Sequence, residues 1–359
     1  MSTQTLTTTL MSLTLLAANS LAGVTWKVPQ QVSTINGAVA LAGNGDEILI
    51  SKGVYDENVV ITSKSDLTLR GAGRAVIAPA SGLAIDASNC PGLVLKKLTI
   101  KTVAAFRSIQ IVNGDDTRIQ SCRVDADNGN NSPAIYLQSG TGHQVIGNRF
   151  EGNFYSAISL AASDSLISKN KVAGAYAVGI RVSGDGNAIL DNRVTGASLG
   201  IALDDGSDQV LIAGNRVLRA TGTGAIFADN TTATMIIDNK IVKPGGAGIF
   251  SDDPGGLVAG NVIKKPGGHG IRVRTNDTAI IGNRVDRSAE DGIHVYTGSG
   301  GQVHRNRVRR SGQNAFYING QNLDVTGNLG AKSWLLDLLE GPQASGNVYL
   351  DNRFEKVSP

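Results

Sequence analysis

The sequence is short of several things at once. Its 359 residues include two cysteines and nine prolines, with only 4% aromatic and 18% charged side chains. Two cysteines exclude a disulfide-stapled scaffold and any four-cysteine zinc or iron–sulfur site. Scarce aromatics mean that the core, drawn from a 41% hydrophobic content, must be aliphatic. The low charge and a formal net charge of +3 exclude a disordered polyelectrolyte. No apolar run reaches the ~18 residues of a membrane-spanning helix. Glycine is the one excess, at 45 residues, but without the G-X-Y period of collagen. What remains is a chain of tight turns and short aliphatic strands.

The first 32 residues read as an arm or a signal-like segment. Leu10 to Ala18 resembles an apolar signal core and Ser20-Leu21-Ala22 a cleavage site, yet the first basic residue is Lys27. Both readings stay open.

From residue 148 onward one asparagine recurs with an aliphatic or aromatic residue two places later. It stands in Asn148-Arg149-Phe150, Asn170-Lys171-Val172, Asn192-Arg193-Val194, Asn215-Arg216-Val217 and Asn239-Lys240-Ile241. It continues in Asn261-Val262-Ile263, Asn283-Arg284-Val285 and Asn306-Arg307-Val308, and more weakly at Asn328, at intervals of 22 to 24 residues. About ten residues after each comes a small residue followed by Ile or Phe, as in Gly248-Ile249, Gly270-Ile271 and Ala315-Phe316. A fixed period of this length means a repeat architecture. Ile271-Arg272-Val273-Arg274 and Ile293-His294-Val295-Tyr296 alternate apolar and polar, the signature of a half-buried strand. A second apolar stretch precedes each Asn and a third, very short one follows it. Three strands per repeat predict an all-β fold, a right-handed parallel β-helix of roughly 13 coils. At ~4.8 Å per coil it would be about 60 Å long. The Asn would sit at the bend between second and third strands, where it tolerates left-handed dihedrals and can bond its neighbours above and below. Ile35 to Leu41 reads as an amphipathic helical cap, and residues 33–359 as a single domain. Cys90 and Cys122 fall on different faces of different coils and should be free thiols.

The run from Gly45 to Ile61 and Leu67-Thr68-Leu69-Arg70-Gly71 resembles the opening coils of the pectate-lyase-like β-helix superfamily. That resemblance covers roughly residues 33–355. It implies a class containing polysaccharide lyases, polygalacturonases, uronate epimerases, tailspikes and sugar-binding proteins. Gly268-His269-Gly270 resembles the polygalacturonase Gly-His-Gly motif, but Ala247-Gly248 and Gly224-Ala225 stand where that family has aspartates. Asp253-Pro254-Gly255-Gly256 lacks the histidine of the Asp-Pro-His-Asp motif of mannuronan C5-epimerases.

Period-two alternation assigns outward positions. Stacking the coils writes a first ladder of Tyr136, Ser159, Arg181, Ala202, Phe227, Phe250, Arg272, His294 and Tyr317. A second reads Gln138, Ala161, Ser183, Asp204, Asp229, Asp252, Arg274, Tyr296 and Asn319. Aromatics offer flat surfaces to sugar rings and charges orient them. Lys264, Lys265 and His269 lie in the turn entering the Arg272 coil, Glu290 and Asp291 in the next, Arg309 and Arg310 after that. Residues 264–310 hold ten Lys or Arg against four acids, a local net charge of +6. This composition predicts an anionic polysaccharide as partner. Nucleic acid is not expected, since no groove-entering helix or single-strand-binding fold is visible. The plainer reading is a basic solvated face.

β-Elimination from a uronate needs a cation on the carboxylate, a base for the C5 proton and an acid for the leaving oxygen. Arg272 or Arg274 could neutralise, His294 could be the base, and Tyr296 the acid. His294 could equally be a surface histidine stacked on Tyr317. His269, Phe227, Phe250, Tyr317, Asn319, Lys264, Lys265, Asp291 and Arg309 complete the expected substrate-binding set. Asp204, Asp229 and Asp252 either hold Ca²⁺, as pectate lyases do, or punctuate turns, so the expected cofactor is none or Ca²⁺. The expectation is a secreted, periplasmic or surface-associated lyase or C5-epimerase. The rival is a non-catalytic β-helix: an adhesin, a sugar-binding module, or a virion tailspike, which would assemble as a homotrimer.

Overall fold

The computed structural model describes residues 23–103, 107–127 and 132–357. The signal-like stretch at residues 10–22 lies outside them. Three short strands per repeat wind into a parallel β-solenoid of about 14 turns. The first face carries the recurrent Ile, the second precedes the Asn bend and the third follows it. Among the described residues fifteen strands form the second face, where Leu257–Ala259 lies residue for residue between Met235–Ile237 and Ala279–Ile281. The other 26 make the first and third faces, which merge where Arg149–Ser163 runs through both. The sequence count of 13 falls short because Thr25–Val28, assigned to the arm, already pairs with Glu47–Ile50.

The helix Ile35–Leu41 covers the first open end. Thr34 caps it through the Gly37 amide, Ile35, Ala38 and Val39 turn inward, and the Glu57 carboxylate accepts from the amides of Ile35 and Asn36. Inside, like residues stack on like: Ile226, Ile249, Ile271, Ile293 and Phe316 form one fully buried column, and Ile212, Ile236, Val258, Ile280 and Val303 another. Each such side chain contributes about 1.5–3 kcal/mol on burial. Cys90 and Cys122 are free and buried.

The bend is held by a buried ladder. Asn215 sends its backbone N–H and its Nδ2 to Oδ1 of Asn239, at 2.9 and 3.0 Å, and a second Nδ2 bond down to the Ile189 carbonyl at 2.7 Å. Its own Oδ1 accepts both bonds from Asn192. The pattern runs from Asn148 to Asn352. One expectation is corrected here. The left-handed residue is the one before each Asn: Lys169, Asp191, Asp238 and Arg305, or glycine at 147, 214, 260, 282 and 327, all have φ between 52 and 66°. The Asn keeps ordinary dihedrals because its work is done by the amide. Leu98 and Cys122 take the same place before the ladder begins, and the Cys122 amide donates to Asn148 Oδ1 at 2.8 Å.

Candidate functional site on the first face

The first outward ladder stands as the alternation requires. Tyr136, Ser159, Arg181, Ala202, Phe227, Phe250, Arg272, His294 and Tyr317 are consecutive partners across parallel strands. Two depressions sharing Phe227 form a trough along it. One, of about 500 Å³, is lined by Tyr155, Arg181, Asp204 and Asp205. The other, of about 460 Å³, is lined by Phe250, His269, Arg272 and Glu290. Glycines keep its floor low: a Cβ on Gly267 would fall 2.1 Å from the Gly245 carbonyl oxygen.

A chemical cluster gathers on three turns at the trough's His269–Arg272 end, with His294 standing beside the lining residues. His294 Nδ1 lies 2.7 Å from Asp291 Oδ2, and Asp291 Oδ1 accepts the Asn314 amide and Nδ2 at 2.9 and 2.8 Å. Burial alone would raise the Asp291 carboxyl, but the bonds from His294 and Asn314 outweigh it and hold the group below its usual range. An anionic Asp291 fixes the His294 proton on Nδ1, leaving Nε2 as the acceptor. His269 stands 4.3 Å away ring to ring and pairs with Glu290 at 2.9 Å. Burial, with repulsion from His294 whenever that ring is protonated and from Arg272, pushes His269 down to about 4, so its ring is neutral at physiological pH. Tyr317 stacks on the other side of His294 at 4.5 Å and 19°. Phe227 and Phe250 stack at 4.9 Å and 12°, a flat apolar platform.

Arg272 is the unspent cation. Its guanidinium lies over the rings of Tyr296 and Phe250, at 4.8 and 5.5 Å. It forms no ion pair among the described residues, and its buried Nε has no hydrogen-bond partner. Arg274 differs: it is tied to Asp252 at 3.0 Å. Burial, with Asp252 nearby, raises the Tyr296 phenol and keeps it protonated.

The second ladder breaks where it matters most. Arg274 faces Thr297, not Tyr296, because a bulge in Ile293–Ser299 inserts a residue after Val295. Tyr296 is thereby released from the pairing and its hydroxyl reaches back two turns to Asp252 at 3.5 Å. The acidic ladder is partly taken up by arginines. Asp204 is engaged by Arg181 at 2.8 Å and Asp252 by Arg274, while Asp229 lies opposite Asp252 with Asp205 and Arg274 also near it. Among the described residues the one group able to hold a metal is His269, Asp291 and His294, whose ligand atoms lie within 4.8 Å of one another. Two imidazoles suit a transition metal, not Ca²⁺.

Other expected substrate contacts move away. Lys264 ends a third-face strand and pairs with Asp286, Lys265 occupies the following bend, and Arg309 lies on the third face. None lines the trough. Asp291, at 2% exposure, orients His294 from behind. Asn319 uses its amide on the Tyr296 carbonyl and the Gln343 amide. Asn314 was missed. Its signal is the residue just before each small–Ile pair, which is apolar or glycine at Gly224 and Ala247 and then becomes polar at His269, Asp291 and Asn314.

The family model described as the right handed beta helix region matches residues 81–225 and 224–330. Nothing among curated proteins matches the chain. Solved structures resemble it in fold. The A-module of the mannuronan C-5 epimerase AlgE6 from Azotobacter vinelandii is 13% identical with a TM-score of 0.55, over 88% of this chain and 93% of that one. A PL6 alginate lyase in complex with a trisaccharide is 14% identical with a TM-score of 0.59, over 93% and 85%. The catalytic unit of a thermostable GH87 α-1,3-glucanase from Streptomyces thermodiastaticus is 13% identical with a TM-score of 0.60, over 94% and 70%.

Proposed function

The chain belongs to the right-handed β-helix family, and on that premise we propose that it binds a uronate-containing polysaccharide in the first-face trough and removes the C5 proton of a bound residue. The observation that carries this reading is Arg272: a cation with no ion pair among the described residues, one rung from a histidine fixed by a buried carboxylate. Arg272 takes the sugar carboxylate and stabilises the charge that develops on it when C5–H breaks. His294 Nε2 accepts the proton while Nδ1–H donates to Asp291. In elimination the electron pair forms the C4–C5 double bond, the C4–O4 bond breaks, and Tyr296 protonates the leaving oxygen. In epimerisation a proton returns to C5 from the opposite face. The Phe227–Phe250 platform holds the neighbouring sugars. Fold relatives that act on alginate support the substrate class.

The signal-like residues 10–22 and a polymeric substrate support a place in the periplasm or outside the cell; among the described residues no helix is long and apolar enough to cross a membrane. A second reading is favoured by the same platform: glycan binding without turnover. Incubation with alginate, polygalacturonate and glycosaminoglycans separates them. Elimination appears as ultraviolet absorbance of the unsaturated sugar, and epimerisation as a changed anomeric proton spectrum. Binding with neither change on any uronate polymer would leave the binding module.

A further inference from the structure

The residue after each ladder Asn writes a second column, on the third face. Arg149, Lys171, Arg193, Arg216 and Lys240 are direct partners on five successive turns, all exposed. Val262 interrupts the column, and Arg284 and Arg307 resume it. Five rungs at the spacing of parallel strands extend about 20 Å. Like charges directly opposite one another destabilise a sheet, so packing does not select such a column. The repeat itself demands no cation either, since Val262 and Leu329 occupy the same place without disturbing the Asn bend.

Neutralisation stops short of the middle of this stripe. Glu151 engages Arg123 and Arg149 at its lower end, whereas Lys171, Arg193, Arg216 and Lys240 have no ion pair among the described residues. A shallow depression of about 180 Å³ lies between the side chains of Arg149, Lys171 and Arg193, with Thr195 and the Arg-paired Glu151 also lining it. The other outward positions on these strands are Glu151, Ala173, Thr195, Leu218 and Val242.

We propose that this stripe is a second binding site, separate from the first-face trough, for an extended anionic polysaccharide. A uronate chain carries one carboxylate per sugar along a stiff, extended backbone, and the stripe offers one cation per turn along a stiff, straight one. Sugar hydroxyls find Thr195 and exposed strand ends beside it. Single-stranded nucleic acid fits less well, because it is held by aromatic rings under its bases and the stripe has none. A site of this kind retains a long polymer while the trough acts on it, yet it does not depend on the trough being catalytic.

The test uses the full chain with Lys171→Ser, Arg193→Ser, Arg216→Ser and Lys240→Ser combined. Affinities for long alginate, a short alginate oligosaccharide, neutral dextran and oligo-dT are measured against salt. Long alginate should bind the native protein and not dextran. The variant should lose at least ~10-fold of that affinity and show a salt slope shallower by ~1 for each cation engaged. Binding of the short oligosaccharide in the trough should not change. His294→Ala should keep the long-chain binding, so a failed trough leaves this result standing. Should the combined variant fold poorly, Arg193→Gln and Arg216→Gln singly should each cost about threefold. Unchanged affinity for long alginate in the combined and single variants would overturn the proposal. So would oligo-dT binding tighter than alginate through the same four residues.

Discussion

Two columns built by one repeat make the instructive contrast. The bend column holds Asn on every rung from Asn148 to Asn352, buried at most rungs and bonded to itself. The first-face outward column changes at nearly every rung, from Phe250 to Arg272 to His294 to Tyr317. Where each rung must satisfy the next, one residue type is repeated and the column is structural. Where rungs face outward, nothing in the stack fixes their identity, so a chemically mixed set is free to serve a ligand.

The largest effect should come from breaking the mixed column. His294→Ala is expected to lower turnover at least ~10³-fold, since a positioned base contributes about that much. The melting temperature should fall only modestly, because the buried Asp291 carboxylate loses the His294 bond but keeps the two from Asn314. A fall in stability matching that of an Asn variant would erase the contrast.

Breaking the uniform column should do the reverse. Asn215→Leu removes the acceptor of two bonds from Asn192, orphaning the buried Asn192 amide, and takes one of its donors from the Ile189 carbonyl. The loss is on the order of 3 kcal/mol, read by denaturant or thermal unfolding, because each buried orphan costs about 1–3 kcal/mol. Catalysis per folded molecule should be unaffected, the bend being across the coil from the trough.

Asp253 lies just past the end of a first-face strand, beside Asp252 but buried itself at 1% exposure. Its Oδ2 accepts the Thr234 amide, while Oδ1 has no partner. Burial pushes its carboxyl up to about 7. The native state therefore holds this proton more tightly than the unfolded chain does. Its stabilisation is full below the ordinary carboxylate range and is lost as pH rises through about 7. Asp253→Asn should raise stability at alkaline pH by on the order of 2 kcal/mol and do little in acid. An equal gain at both would contradict the buried-acid account.

The smallest effect sharpens the role of Arg272. Arg272→Lys keeps the charge but loses the planar group lying over Tyr296 and Phe250. KM for a uronate polymer should rise about tenfold, or ~1.4 kcal/mol, with kcat reduced less. Added salt should weaken substrate binding in both proteins.

These contrasts also explain what could be read from the sequence. The Asn column and the first outward ladder were legible because strand alternation and a 22–24-residue spacing propagate without error along stacked turns. The second ladder was misread at Tyr296 because a bulge alters register inside a strand. The clue was only one extra residue, eight instead of seven, between Ile293 and Gln302 as against Ile271 and Ala279. Asp291 was legible as a site residue but not as a buried one, since burial of a turn depends on the turns above and below. Lys264, Lys265 and Arg309 were placed by sequence proximity, which in a solenoid puts neighbours on different faces.

The most direct test follows the proton itself. Native protein and His294→Ala are incubated with alginate in heavy water, and deuterium at C5 of the uronate residues is measured by proton NMR alongside unsaturated chain ends. The account predicts C5 deuterium or unsaturated ends with the native protein and neither with the variant. Saturable alginate binding with no deuterium and no new chain ends, or equal exchange in the variant, would contradict it.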